Sequence, residues 1–190
     1  FSSGSLSTNS SGNPFSLKLI PYLSSNLLTT IDDQALDPNF SLAYSALARS
    51  FLVSGNMTKA KLAIKKAVSI SKGITDRERS HLLCCELLIA GEEQKARDAV
   101  YKHVGEWPRD AMIAQINTSV FGLIGFSGEQ GRELNLLEYT EKLLPHFGED
   151  WWMSSMHAIS LCETGQTSEA MTLMEKSLTL NSRNANAAHF

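Results

Sequence analysis

The sequence predicts an all-α protein, a right-handed superhelical solenoid of antiparallel helix pairs, on three observations. A glycine is followed five residues later by an alanine at Gly55 and Ala60, at Gly91 and Ala96, and at Gly165 and Ala170. The glycines stand 36 and then 74 residues apart, and 74 is close to two periods, which leaves room for a degenerate unit between the second and third clear copies. Around the first glycine, Tyr44, Leu47, Ala48 and Phe51 on one side and Ala60, Ile64, Ala67 and Val68 on the other lay an apolar stripe along each of two helices. A stack of such hairpins supplies a surface and need not supply chemistry, so the pattern points to an interaction module before it points to a reaction.

Each element has its own local reason. Residues 1–13 hold six serines and two glycines with almost no apolar content, too little to offset the entropy of ordering. Residues 1–21 are therefore expected to be a flexible Ser-rich arm, with a short helix over about residues 23–35 and the repeat domain over 22–190. Four repeats are expected, over approximately 37–72, 75–108, 110–145 and 150–182. The first opens at Asp37-Pro38, a capping residue followed by proline at the first helical position. Gly55 ends its first helix and Thr58 is placed to cap the second. Alanine at 60 and 67 lets the two helices approach closely.

The second repeat opens with Thr75-x-x-Glu78, a capping box. Leu83, Leu87 and Leu88 carry its first stripe, Gly91 its turn, and Ala96 and Val100 its second stripe up to Trp107-Pro108. The fourth has Asp150 as cap, then Trp151, Trp152, Ala158 and Leu161, the turn at Gly165, and Ala170, Met174, Leu178 and Leu180. Between them Gly128 lies 37 residues from both Gly91 and Gly165, yet Glu133 stands where alanine is expected and Gly122, Gly125 and Gly131 crowd the region. The third hairpin is drawn with helices over about 111–123 and 134–144 and a longer turn.

Composition narrows the class. The 190 residues are 43% hydrophobic and 19% charged, ordinary for one globular unit, and the formal charge of −3 lacks the clustered cationic excess that phosphate binding needs. Lys59, Lys61, Lys65 and Lys66 spread over more than one helix side and read as a solvated face, so no nucleic-acid partner is expected. Three cysteines make no disulfide framework, and a cytoplasmic, reducing setting is expected. The sequons at Asn9, Asn56 and Asn117 are read as chance. The uncharged stretch over 111–128 is long enough for a membrane span, but Gln115, Asn117, Thr118 and Ser119 interrupt it, so a buried helix and no membrane partner are expected. The chain opens without methionine and stops as a new helix begins after Asn181, which reads as a piece of something longer.

An aromatic early in the first helix (Tyr44), a Leu47-Ala48 pair, glycine at the turn, alanine early in the second helix, a second alanine seven later (Ala67) and a closing proline (Pro108) resemble the tetratricopeptide repeat. The match is good around Gly55, Gly91 and Gly165. His103 and Ser177 replace the second alanine in two copies, and Lys72 and Ser182 stand where the closing proline is usual. A narrower resemblance covers most of the chain. Leu6-Ser7-Thr8, Asp37-Pro38-x-Phe40, Arg77-Glu78-x-x-His81, Trp107-Pro108-x-Asp110, Glu163-x-Gly165 and Asn184-Ala185-x-x-Ala188-His189 look like the N-terminal half of the tetratricopeptide repeat protein 38 family. Members of that family are longer and have no established reaction.

The resemblance implies a concave face lined by the first helix of each pair. Counting from the glycines, the lining includes Leu42, Ser45, Arg49 and Leu52, then Glu78, His81, Cys85 and Leu88, then Trp152, Ser155, Ile159 and Cys162. The candidate binding residues are Arg49, Ser45, Glu78, His81, Trp152 and Ser155, with Arg49, His81 and Trp152 foremost, because a planar cation and aromatic rings are the usual anchors of a binding surface. Tetratricopeptide binders of chaperone tails clamp a terminal carboxylate with lysine and asparagine. Ser45, Arg49 and Leu82 stand at those places, which argues against that ligand. His81 has helical spacing to Cys84 and Cys85, but no carboxylate or second histidine follows at matching spacing, so neither a metal site nor a nucleophile–base pair is expected. His157 and Cys162 are weaker still, and His189 does nothing alone.

These readings converge on a non-enzymatic scaffold that binds a peptide or protein segment on its concave face, without cofactor. Self-association through an exposed repeat end is a further expectation. The alternative is a fragment or accessory domain of a larger enzyme whose site the missing C-terminal sequence completes, and a third reading is a small-molecule groove using His81 and Trp152.

Overall fold

A computed structural model describes residues 38–189, and among them there is no β-strand. Two long helices, α1 (Ser41–Val53) and α2 (Met57–Ser69), pair antiparallel, followed by α3 (Asp76–Ala90) with α4 (Glu93–Glu106). A four-residue α5 (Ala111–Ala114) leads through an irregular segment to α6 (Arg132–Phe147). The array continues with α7 (Trp151–Glu163) and α8 (Thr167–Leu180) and reaches α9 (Ala185–His189). Each pair packs on the next, α1 and α2 on α3, and α6 on α7, so one apolar core runs the length of the array. The expected arm and the expected helix over residues 23–35 lie outside the described residues, as does Asp37.

Local chemistry accounts for the ends. Thr75 and Glu78 form the expected capping box on α3, and Asp150 Oδ1 accepts from Met153 N at 2.9 Å to cap α7. Two caps differ from expectation. Asn56, not Thr58, caps α2 by accepting from Lys59 N at 3.1 Å, and α1 begins at Ser41 with Phe40 at its cap position. Gly55, Gly91 and Gly165 turn the chain with φ of +78°, +78° and +83°, a region that costs a side-chain-bearing residue steric strain. Five residues on, Ala60, Ala96 and Ala170 are all buried at the helix crossings. A methyl group there lets backbones approach that a leucine would hold apart.

The base of each clear hairpin is tied by a polar link. Ser41 Oγ donates to the Ala67 carbonyl at 2.9 Å in the first, and Ser177 Oγ donates to the Trp151 carbonyl at 2.7 Å in the fourth. In the second, His103 Nδ1 lies 2.9 Å from Ser80 Oγ. His103 and Ser177 are the residues that replace the second alanine, so those substitutions put a hydrogen-bonding group where the start of one helix meets the end of its mate.

The third hairpin corrects the expectation most. Its first helix stops after one turn, and residues 115–131 fold into a packed, non-helical segment. Leu123 N donates to the Ile116 carbonyl at 3.0 Å, folding the segment back on itself. Gly122 makes this approach feasible, because a Cβ there would stand 2.8 Å from the Ile116 carbonyl oxygen, and at Gly125 a Cβ would stand 2.1 Å from the Val120 carbonyl oxygen. Arg97, buried on α4, pairs with Glu129, and Tyr139 Oη on α6 donates to the Ala114 carbonyl at 3.0 Å, so the segment is pinned from both sides. Asn117 is fully buried there, outside any helix.

Candidate functional site

The lining predicted from the repeats divides into two groups. Leu42, Arg49 and Leu52 on α1, Glu78 and Leu88 on α3, and Trp152 and Cys162 on α7 are half-buried. Ser45, His81, Cys85, Ser155 and Ile159 are buried, so three of the six candidate residues, Ser45, His81 and Ser155, offer a ligand no surface in this conformation.

The half-buried candidates also have partners. Glu78 accepts from Thr75 N and from Thr75 Oγ1, both at 2.8 Å, and the backbone bond foremost, with the hydroxyl, holds its carboxyl below the usual range. Trp152 packs against Phe147 with ring centroids 5.6 Å apart, and its carbonyl accepts from Ser155 Oγ at 2.8 Å. Arg49 Nη1 donates to the Met112 carbonyl across the interface between the first and third units. Burial lowers the pKa of its guanidinium, opposed by the nearby Cys85 and Asp110.

A charged cluster that sequence spacing does not reveal joins α3, α4 and the turn that follows them. Asp110 Oδ2, buried in the turn between α4 and α5, is 2.9 Å from His81 Nδ1 on α3, 3.3 Å from His103 Nε2 on α4 and 3.4 Å from Arg77 Nη1. The expectation that no second histidine or carboxylate reaches His81 is thereby corrected. His103 and Asp110 arrive from 22 and 29 residues away because the α3–α4 hairpin folds its open end onto the following turn. Arg77, His81 and Asp110, which belong to two separate sequence motifs, meet here, and Trp107 from the same motif as Asp110 packs its ring, tilted by 48°, against His103 with centroids 5.1 Å apart.

Electrostatics within the cluster favour the ionised pair. For Asp110, burial works against charge, but the His103 and His81 rings that face it outweigh burial and hold the carboxyl well below its ordinary range. For His81, burial likewise opposes the charge, yet the bond to Asp110 and the neighbouring Cys85 outweigh it and raise the ring to about 9. His81 Nε2 and His103 Nε2 are buried with no hydrogen-bond partner. The signal that could have found this cluster is His103, a large polar residue where the repeat pattern wants a small buried one.

The cysteines are free, and burial pushes the Cys84 thiol up to about 12, which makes it unreactive. No helix among the described residues is long and apolar enough to cross a membrane.

Stacked antiparallel pairs turning on positive-φ glycines define a helical-repeat solenoid. Among solved structures the chain is similar to YrrB, described as a tetratricopeptide-repeat protein with an unusual peptide-binding site. The likeness has a TM-score of 0.51 and 14% identity and covers 86% of each chain. That places the fold. No protein-family model matches the chain, and no curated protein matches it significantly.

Proposed function

We propose that this chain is a non-enzymatic scaffold that binds a peptide or protein segment along the groove lined by α1, α3 and α7, in a cytoplasmic protein akin to the N-terminal half of the tetratricopeptide repeat protein 38 family. The observation that carries the proposal is the half-buried lining. Leu42, Leu52, Leu88 and Trp152 offer apolar floor to a side chain, while Arg49 and Glu78 offer charge at its edge. Partly buried apolar groups framed by polar ones are the composition of a recognition surface. The peptide-binding character of the structural neighbour agrees with this use of the fold. Free cysteines agree with a reducing compartment.

The test is selection of binders from a displayed random-peptide library, followed by anisotropy titration of the winners. Leu42→Glu and Trp152→Ala should each weaken binding about ten-fold or more, as removal of an interface anchor does. Leu62→Glu, on the exposed side of α2, should leave it unchanged. Peptides that bind all three folded variants equally would refute the groove, and a library that yields no binder would refute the peptide-binding reading itself.

A further inference from the structure

We propose that His81, His103 and Asp110 form a divalent-metal site, with Zn²⁺ as the ion that fits it, which joins the second hairpin to the third unit. Three donors from three elements converge, and their ligand atoms all lie within 4.8 Å of one another. A tetrahedral ion with bonds of about 2.0–2.2 Å spaces its ligand atoms about 3.3–3.5 Å apart, so His103 Nε2, 3.3 Å from Asp110 Oδ2, is already at that spacing, and His81 Nδ1, hydrogen-bonded at 2.9 Å, has to draw back by about half an ångström.

His103 supplies an independent observation. Its side chain has no exposed surface, and Nε2 points at the carboxylate without forming a hydrogen bond. Its other nitrogen, Nδ1, is 2.9 Å from Ser80 Oγ. When Nδ1–H donates to that hydroxyl, Nε2 presents a lone pair to a carboxylate oxygen, an arrangement that a cation between them stabilises. A polar partner on the non-ligating nitrogen is also what fixes ring orientation and tautomer in metal-bound histidines. Two imidazoles and one carboxylate are donors that suit zinc, and a three-residue set leaves a fourth position for another ligand.

Binding releases the Nδ1 proton of His81 to solvent, and it competes with the Arg77 guanidinium on the same Asp110 oxygen. Arg77 is half exposed at 48%, so it can swing into solvent, whereas Asp110 at 7% cannot. Arg49 is engaged with the Met112 carbonyl and stays as a nearby fixed charge that moderates affinity.

The experiment uses the tag-free chain stripped with chelator, titrated calorimetrically with ZnCl₂, and in parallel with Co²⁺ to read the visible absorption of a low-symmetry nitrogen–oxygen site. One equivalent of Zn²⁺ should bind, and His103→Ala should weaken it about ten-fold or more, the loss expected when a metal-site group is removed. Arg77→Gln, a change at a half-exposed position, should tighten binding, an effect that a purely structural ion-pair cluster does not produce. Equal zinc binding by the wild type and a folded His103→Ala chain would overturn the assignment. If His103→Ala fails to fold, a featureless Co²⁺ spectrum in the wild type and Arg77→Gln would overturn it equally. The groove stands or falls separately, since the peptide titration is read on the stripped chain.

Discussion

At the scale of single residues, the histidines show how one side chain takes opposite roles according to its neighbours. His81 faces a carboxylate, which outweighs burial and favours the charged ring. His157, on α7, is buried against Thr140 with Oγ1 3.0 Å from Nδ1, and burial lowers its pKa because Glu141 and Glu169 offset little of the desolvation. The sign of the pH effect follows. A histidine that stays neutral when folded binds fewer protons than the unfolded chain below its unfolded pKa, about 6.5, so its contribution to stability is intact above that value and is lost as pH falls through it. Thermal melts between pH 7.5 and 5 therefore test His157→Gln, which should lose less stability on acidification than the wild type. Thr140 Oγ1 retains the Leu136 and Leu137 carbonyls at 3.1 Å, so the variant leaves no stranded hydroxyl. Parallel melting curves for the two chains across this range would contradict the assignment.

At the scale of elements, the regular hairpins and the irregular one obey the same physics with different outcomes. In α3 and α7 a side-chain cap starts the helix and a positive-φ glycine ends the strip of chain that follows it. In the third unit, Ile116, Thr118 and Val120 are β-branched, Asn117 and Ser119 compete for backbone hydrogen bonds, and Gly122 and Gly125 lower the cost of leaving the helix. The predicted helix over 111–123 consequently yields to a packed loop. Gly125→Ala would place a methyl carbon inside the Val120 carbonyl, which is backbone and cannot rotate away. Denaturant unfolding should show a loss of about 1–3 kcal/mol, the cost of overpacking, and an unchanged midpoint would mean that the segment moves freely.

The contrast marks what was legible in the sequence. Turns and caps announce themselves within four residues, so Gly55, Thr75, Gly91, Asp150 and Gly165 could be read directly. The packed loop is fixed by contacts from Arg97 and Tyr139, both outside it, and no local period records them. The candidate residues were legible in the same uneven way. The half-burial of Leu42, Arg49, Glu78 and Trp152 follows from helix geometry once the glycines set the register. The His81 cluster depends on a closure across 29 residues, and only the misfit of His103 with a small-residue position hinted at it.

At the scale of the whole molecule, stability in a stacked array is a sum of unit and interface contributions, so equivalent positions should respond alike to the same change. Ala60, Ala96 and Ala170 provide that comparison, since each lies five residues after a turn glycine and is buried against its partner helix, at 0%, 0% and 4% exposure. Ala→Leu at each adds three carbons to a crossing that has no space for them, and overpacking of this kind costs about 1–3 kcal/mol. The neighbours differ, however. Ala60 and Ala96 belong to consecutive hairpins whose helices α1, α2 and α3 pack directly, whereas Ala170 belongs to a hairpin reached through the irregular third unit. Chemical unfolding of the three single variants and the double variants should give similar single losses and additive behaviour for Ala96 with Ala170, which share no contact surface. Ala60 with Ala96 should depart from additivity, because the backbone shift that relieves one crossing moves the interface that holds the other. Additivity in both pairs would mean that each hairpin absorbs strain on its own, and the repeats would then behave as beads joined by soft interfaces rather than as one continuous core.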